Sequence, residues 1–233
     1  MSFLLESRAP GAGSATAGSS TAGASAVGRV YAKVAEGIIS GALPASSFIT
    51  EGEVAEALSV SRTPVREAFL TLQAHGLLTL FPKKGAVVTA VDDAETAELL
   101  QVRVMLETAA VPRLAERPQD IPAVDAELQD LIGVQLDAAA AGDLLTFARA
   151  DHRFHTRIVD ETRNRVIDDM YTRLGPRLER LIHRAASRDP RNLDRLVAEH
   201  RVLAGHLRAG DTPSYEIALR QHVEDGHHAH LAP

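Results

Sequence analysis

A predominantly helical chain of two folded units is what this sequence predicts, on three observations. Apolar residues recur three and four apart over most of the chain from Val27 onward. Strand-like runs are confined to one stretch, Leu77–Val91, and no strand signal returns after Asp93. The length, 233 residues, also exceeds that of a typical single domain. The fold class expected is therefore mostly α: a small N-terminal unit of helices and a hairpin, then a C-terminal all-α bundle of about six helices.

The elements follow in order. From Ala9 to Ala26 the chain is almost all Ala, Gly, Ser and Thr, which buries too little apolar surface to offset the entropy of ordering. Residues 1–26 are accordingly expected to be a disordered tail. Val27, Val30, Tyr31, Val34 and Ile38 share one helical face, stopped by Gly41 and Pro44. Thr50 with Glu53 three residues on is a capping-box signature and opens a short second helix that ends near Ser59–Val60. Ser61 is placed to cap a third helix, with Pro64 in its first turn and Val65, Phe69 and Leu72 on the buried face. His75–Gly76 ends it. Leu77–Phe81 and Ala86–Val91 then read as a hairpin whose tip, Pro82-Lys83-Lys84-Gly85, is basic.

Residues 27–92 thus form one expected domain and 93–233 the other. Within the second, helices are expected at about 93–116, 120–141, 143–161, 163–187, 190–209 and 212–230, punctuated by Pro118, Gly142, Pro190 and Gly210-Asp211. Charge divides with the domains: residues 27–91 hold six basic and five acidic side chains, 93–233 hold 18 and 24. The net charge of −6 excludes a protein that coats nucleic acid or anionic membrane by bulk attraction, so any DNA contact must be local. The absence of cysteine excludes disulfides, thiolate metal sites and a cysteine nucleophile. With no apolar run long enough for a membrane span and no secretory pattern at the start, a cytoplasmic protein without membrane contact is expected. Aromatic side chains, 4% with no Trp, are too few for base-stacking platforms.

Helix, helix, turn, helix and a two-stranded wing make a winged helix-turn-helix, the arrangement that sets one helix in the DNA major groove. Arg62 and Arg66, four apart on the third helix, lie on one face from which guanidinium forks reach guanine edges or phosphates. Ser61 and Thr63 hydroxyls at the helix start suit a phosphate, and Lys83 and Lys84 suit the flanking backbone, with Gly85 permitting the turn. Taken alone, two arginines fit a solvated face equally well. The stretches Thr50-Glu51-Gly52-Glu53-Val54-Ala55-Glu56-Ala57-Leu58, Val60-SRTPVREA ending at Ala68, and Leu72-x-x-x-Gly76-Leu77-Leu78 resemble the winged-helix domain of GntR-family bacterial transcription regulators. The resemblance implies operator contacts by Ser61, Arg62, Arg66 and the wing Gly85. One position departs: Gly52 stands where some members carry a basic residue.

Nine of the ten histidines follow residue 150. Asp151 and His155 fall on one face of a helix turn, with His200 and His222 on two later helices, so three helices could bring a carboxylate and three imidazoles to one ion. Such a set suits zinc, nickel, manganese or iron, with zinc favoured. Singly, each histidine fits an incidental core or surface position. The order Asp151-x-x-Phe154-His155, Glu199-His200, His222, with Arg103-x-x-x-Glu107 and Asn164, is similar to the FCD effector domain of the FadR-like branch of the same family, and six helices place it nearer the VanR-type subgroup. The resemblance implies a divalent metal on Asp151, His155, His200 and His222, and a small organic acid, a carboxylate, completing its shell. Arg103 is a candidate effector contact, or the partner of Glu107. Arg173, Arg177, Arg180 and Arg184 are expected on a solvated face, although one could point inward. His152 and His206 are expected as non-ligands, and His227, His228 and His230 as solvated.

The function expected is a ligand-responsive repressor, not an enzyme, that binds a palindromic operator as a homodimer. Two alternatives stand beside it: a metal sensor in which the ion is the signal, and a metal-dependent hydrolase in which the ion activates water.

Overall fold

Between Ala90 and Val91 the chain divides into two units, each with its own core. The structure is a computed structural model and describes residues 25–227. Most of the expected N-terminal tail, and His228 and His230, lie outside the described residues.

In the first unit, α1 (Ala26–Ile39) begins at Ser25, whose hydroxyl accepts from the Gly28 N–H at 3.1 Å. It packs on α3 (Arg62–Ala74), and their apolar faces, Val30, Val34 and Ile38 from α1 and Val65, Phe69 and Leu72 from α3, are all buried. Between them in chain order comes α2 (Glu51–Ala57), whose expected capping box is present: Thr50 Oγ1 accepts from Glu53 N–H, and the Glu53 carboxylate accepts from Thr50 N–H at 2.9 Å. Ser61 occupies the cap position of α3 but makes no capping hydrogen bond. Its expected role as a side-chain cap is thereby corrected, and the hydroxyl stays exposed at the helix start.

The hairpin is β2 (Leu78–Phe81) against β3 (Gly85–Val88), antiparallel with Leu78 opposite Val88 and Phe81 opposite Gly85. β3 stops at Val88, short of the expected Val91, opposite Leu78, the first residue of β2. A strand the pattern did not signal, β1 (Phe48–Ile49), pairs antiparallel with β3 and gives the sheet order β1-β3-β2. Two residues are too few to show the alternation by which strands are read. At the wing tip Lys84 N–H donates to the Phe81 carbonyl at 3.0 Å, with Lys83 in the left-handed region at φ 61°.

The second unit is a bundle of α4 (Asp93–Ala115), α5 (Ile121–Ala141), α6 (Leu144–Val159), α7 (Arg165–Arg188), α8 (Leu193–Ala209) and α9 (Thr212–His227). The segments expected at 143–161 and 190–209 each lose a turn to a short 3-10 helix, Asp160–Thr162 and Pro190–Asn192. Asp92, Asp143 and Asn164 side chains cap α4, α6 and α7, while Gly142 and Gly210, both left-handed, end α5 and α8. α6 lies against α5 and α7, α8 against α5 and α9, and α9 returns to α4. Leu100, Val104, Leu128, Phe147, Phe154, Val197 and Leu219 fill the space between them. Among the described residues no helix is long and apolar enough to cross a membrane.

Gly85 is where the wing depends most on one residue type. Its φ is 146°, and a Cβ there would stand 2.6 Å from the Ile49 carbonyl oxygen. Gly85→Ala is expected to cost about 1–3 kcal/mol, read as faster hydrogen exchange at β1 and β3 amides. Unchanged protection would show that the close approach to β1 does not hold the wing.

Candidate DNA-reading surface and metal centre

The start of α3 presents Arg62 and Arg66 to solvent, with Ser61 and Thr63 exposed beside them. These two arginines share one groove with Lys83, Lys84 and Gly85 of the wing. One wall of the groove is thus helical and the other a basic tip, although the unit as a whole is close to neutral. Because Ser61 does not cap α3, the first-turn N–H groups have no side-chain acceptor there. Gly52 lies beside Arg62: a Cβ at that position would be 3.5 Å from Arg62 Nη2. The departure from the family pattern therefore sits against the arginine that opens the reading helix.

In the second unit, one ligand atom from each of Asp151, His155, His200 and His222 lies within 4.8 Å of the others, and all four residues are buried. α6 supplies Asp151 and His155 one turn apart, α8 supplies His200 and α9 supplies His222. Every histidine in the set is oriented through Nδ1. His155 Nδ1 meets Glu107 Oε2 at 2.7 Å, His200 Nδ1 meets Gln135 Oε1 at 2.6 Å, and His222 Nδ1 meets Glu199 Oε2 at 2.7 Å. Oxygen acceptors at all three Nδ1 positions place the proton there and leave each Nε2 as a lone pair.

Burial holds the His155 and His200 imidazoles well below their usual range, so both are neutral at physiological pH. Their Nε2 atoms are 3.2 Å apart, and His200 Nε2 is 3.3 Å from Asp151 Oδ1. Two lone pairs and a carboxylate facing one another repel unless a cation or a shared proton lies among them. Asp151 Oδ2 is buried without a hydrogen-bond partner. The donor set, three imidazole nitrogens and one carboxylate, therefore fits a divalent ion of borderline softness.

Arg103 is almost wholly buried. Its Nε donates to Glu107 Oε1 at 3.0 Å, and its Nη2 is 3.6 Å from Asp151 Oδ2. Of the two roles weighed for Arg103, the ion pair is present, yet Nη2 has no hydrogen-bond partner. Burial raises Glu107 to about 7, against the pull of Arg103, and Tyr215 Oη donates to the same carboxylate at 2.9 Å. The roles of Gln135 and Tyr215 went unread in the sequence, since a lone Gln or Tyr on a helix carries no spacing signal. Glu107 and Glu199 were visible only as neighbours of other residues.

His152, one residue from Asp151, turns away from the set, stacks on Tyr171 with ring centroids 5.8 Å apart, and is lowered to about 4 by burial. His206 is partly exposed, with Asp211 4.0 Å from its Nδ1. His227 departs from expectation. It is half-buried and lines a small pocket with Leu181, Arg184 and Arg188, and burial lowers it to about 3. The reason is that α9 continues to His227 and its last part packs on α7. The arginines of α7 also depart from a merely solvated face: Arg173 is exposed, but Arg177 pairs with Glu95, and Arg184 donates to the Val91 carbonyl at 3.3 Å and lies 3.5 Å from Asp93.

Comparison with known proteins agrees with both halves. The family described as bacterial regulatory proteins, gntR family, matches residues 26–88, and the FCD domain family matches residues 98–225. The chain is 33% identical over 186 residues to the "Probable D-xylose utilization operon transcriptional repressor" of Paenarthrobacter nicotinovorans, covering 80% of each chain. It is 27% identical over 202 residues to the gluconate operon transcriptional repressor of Bacillus licheniformis, covering 84% of this chain and 82% of that one. Among solved structures, Escherichia coli McbR/YncC superposes with a TM-score of 0.71 at 25% identity, over 87% of this chain and 95% of that one. These relatives are regulators, and the hydrolytic alternative falls with that finding. The chain belongs to the GntR family of bacterial transcription regulators, in its FCD-domain branch.

Proposed function

We propose that this regulator is a repressor that binds a palindromic operator as a homodimer and changes its affinity when a small organic acid reaches a divalent metal in the bundle. The observation that carries the proposal is the engagement of all three histidine Nδ1 atoms by Glu107, Gln135 and Glu199, which turns three Nε2 lone pairs onto Asp151. Asp151, His155, His200 and His222 would hold the ion, zinc being favoured, and the ion would supply positive charge for the acid's carboxylate. Arg103 Nη2, which makes no hydrogen bond, would be a second contact for that carboxylate. The names of the D-xylose and gluconate operon relatives favour repression.

On the DNA side, Arg62 and Arg66 read bases or phosphates, Ser61 and Thr63 with the α3 N-terminus hold a phosphate, and Lys83, Lys84 and Gly85 follow the adjoining backbone. A route for the signal starts at Arg184, whose hold on the Val91 carbonyl ties α7 to the segment joining the two units. A shift of α7 on ligand binding would reach that segment and bias the spacing of two reading helices.

A second reading, in which the ion itself is the signal, is favoured by the depth of the site: His155 and His200 are fully buried, and Asp151 and His222 nearly so. Titrating operator binding with metal alone and then adding candidate acids separates the two. Full response to metal alone supports the sensor.

Three outcomes are expected. His200→Ala is expected to strip the metal, measured as stoichiometry by elemental analysis, while the first unit keeps its fold; full stoichiometry would remove His200 from the ligand set. Gln135→Leu, which leaves every proposed ligand in place, is expected to weaken metal affinity by about 10–100-fold, and an unchanged zinc titration would argue that Gln135 does not orient His200. Arg66→Ala is expected to cost about 1–3 kcal/mol of operator binding, measured by mobility shift on a selected duplex. Wild-type affinity there would take Arg66 out of the reading surface.

A further inference from the structure

The bundle buries two tyrosines, Tyr171 and Tyr215, and they differ in what their hydroxyls meet. Tyr215 Oη donates to Glu107. Tyr171, on α7, is 1% exposed and its Oη has no hydrogen-bond partner. A phenol that served packing alone would do better as phenylalanine, because a buried hydroxyl without a partner loses its hydration and gains nothing for it. The ring itself is closely held. Leu99, Val159, Leu178 and Leu181 pack with it in one cluster, and His152 stacks on it with the ring planes 22° apart. His152 in turn fills the room left by Gly175, one turn further along α7, where a Cβ would stand 2.8 Å from His152 Nε2.

The phenol belongs electrostatically to the polar heart of the bundle. The strongest charges acting on it are those of Glu107 and Arg103 from α4 and Asp151 from α6. Arg103 Nη2 and Asp151 Oδ2 also make no hydrogen bond, but they face each other as an ion pair at 3.6 Å. Tyr171 Oη has no such counterpart. Burial, and after it the Glu107 carboxylate, hold Tyr171 well above its usual range, so at neutral pH the phenol is an O–H donor. A donor without an acceptor, next to the arginine that would take an acid's carboxylate, calls for a further oxygen on that acid.

We propose that Tyr171 is an effector contact, and that it selects an organic acid with a second oxygen group close to its carboxylate, as in a 2-hydroxy acid, over the acid without one. This rests on the reading of the bundle as a metal and acid site and adds to it a contact and a class of acid.

Acetate and glycolate differ by one hydroxyl on the carbon next to the carboxylate, so together they isolate the contact. Each is titrated by calorimetry into the zinc-loaded full chain and into its Tyr171→Phe variant, with zinc stoichiometry by elemental analysis as the control on the ligand set. The unmodified chain is expected to bind glycolate about tenfold more tightly than acetate, or better. Tyr171→Phe removes one oxygen and no packing; it is expected to keep its zinc, to melt no lower, and to bind the two acids alike. A variant that retains the preference for glycolate would overturn the contact and leave the metal site standing. Equal weakening of both acids would put the phenol on the carboxylate and overturn the selection. Zinc-loaded chain that binds neither acid would overturn this proposal together with the acid reading, and a chain that takes up no zinc would overturn the metal site as well.

Discussion

Keeping a carboxylate, an arginine and three imidazoles out of water in the middle of a helical bundle is costly, and that cost governs how the bundle can be built. Each group must find a partner, because an unpaired buried polar group loses its hydration with nothing in return. Arg103 answers Glu107, Glu107 answers His155 and Tyr215, and Gln135 and Glu199 answer the other two histidines. These contacts join α4, α5, α6, α8 and α9 through directional bonds that an apolar core alone would not require. Asp151 Oδ2 and Arg103 Nη2, neither of which makes a hydrogen bond, face each other as an ion pair at 3.6 Å beside the converging nitrogens. Each imidazole Nδ1 is thus matched by an oxygen on the outside of the cluster, while Asp151 Oδ2 stays without a hydrogen bond on the side the imidazole Nε2 atoms face.

The first unit solves a different problem. It must present positive charge to DNA while the whole chain is acidic, and it does so by concentrating cations at the two walls of one groove instead of across a surface. Its apolar face is spent on holding α3 against α1, and its wing is held by a third strand and by the lack of a side chain at Gly85. Rigid support behind exposed polar groups is what a base-reading helix needs, because a misplaced fork loses its bidentate geometry.

Much of this was legible beforehand, for physical reasons that differ by element. The six bundle helices showed themselves because each runs long enough for a 3.6-residue period to repeat and because glycine at Gly142 and Gly210 supplies the left-handed ends. β1 was invisible because a strand of two residues has no period at all. The capping bond expected from Ser61 is missing although the residue sits at the cap, since a propensity describes what a hydroxyl can do and not what the local backbone lets it do. The half-buried His227 and the paired Arg177 and Arg184 lay beyond a one-helix reading, because each is decided by a neighbouring helix.

What the sequence determined by itself was therefore local or motif-borne: the helical class, the hairpin with its basic tip, the arginine spacing on α3, and the one-turn spacing of Asp151 and His155. Whether His200 and His222, from two further helices, would meet that pair was a matter of packing. So was the choice of Glu107, Gln135 and Glu199 as the groups that turn the imidazoles. Spacing along a chain fixes which side chains share a face of one helix, but the identity of the facing helix, and hence of every hydrogen-bond partner, depends on how several apolar faces are buried at once. The tertiary structure alone decided that three histidines would present the same nitrogen to the same point.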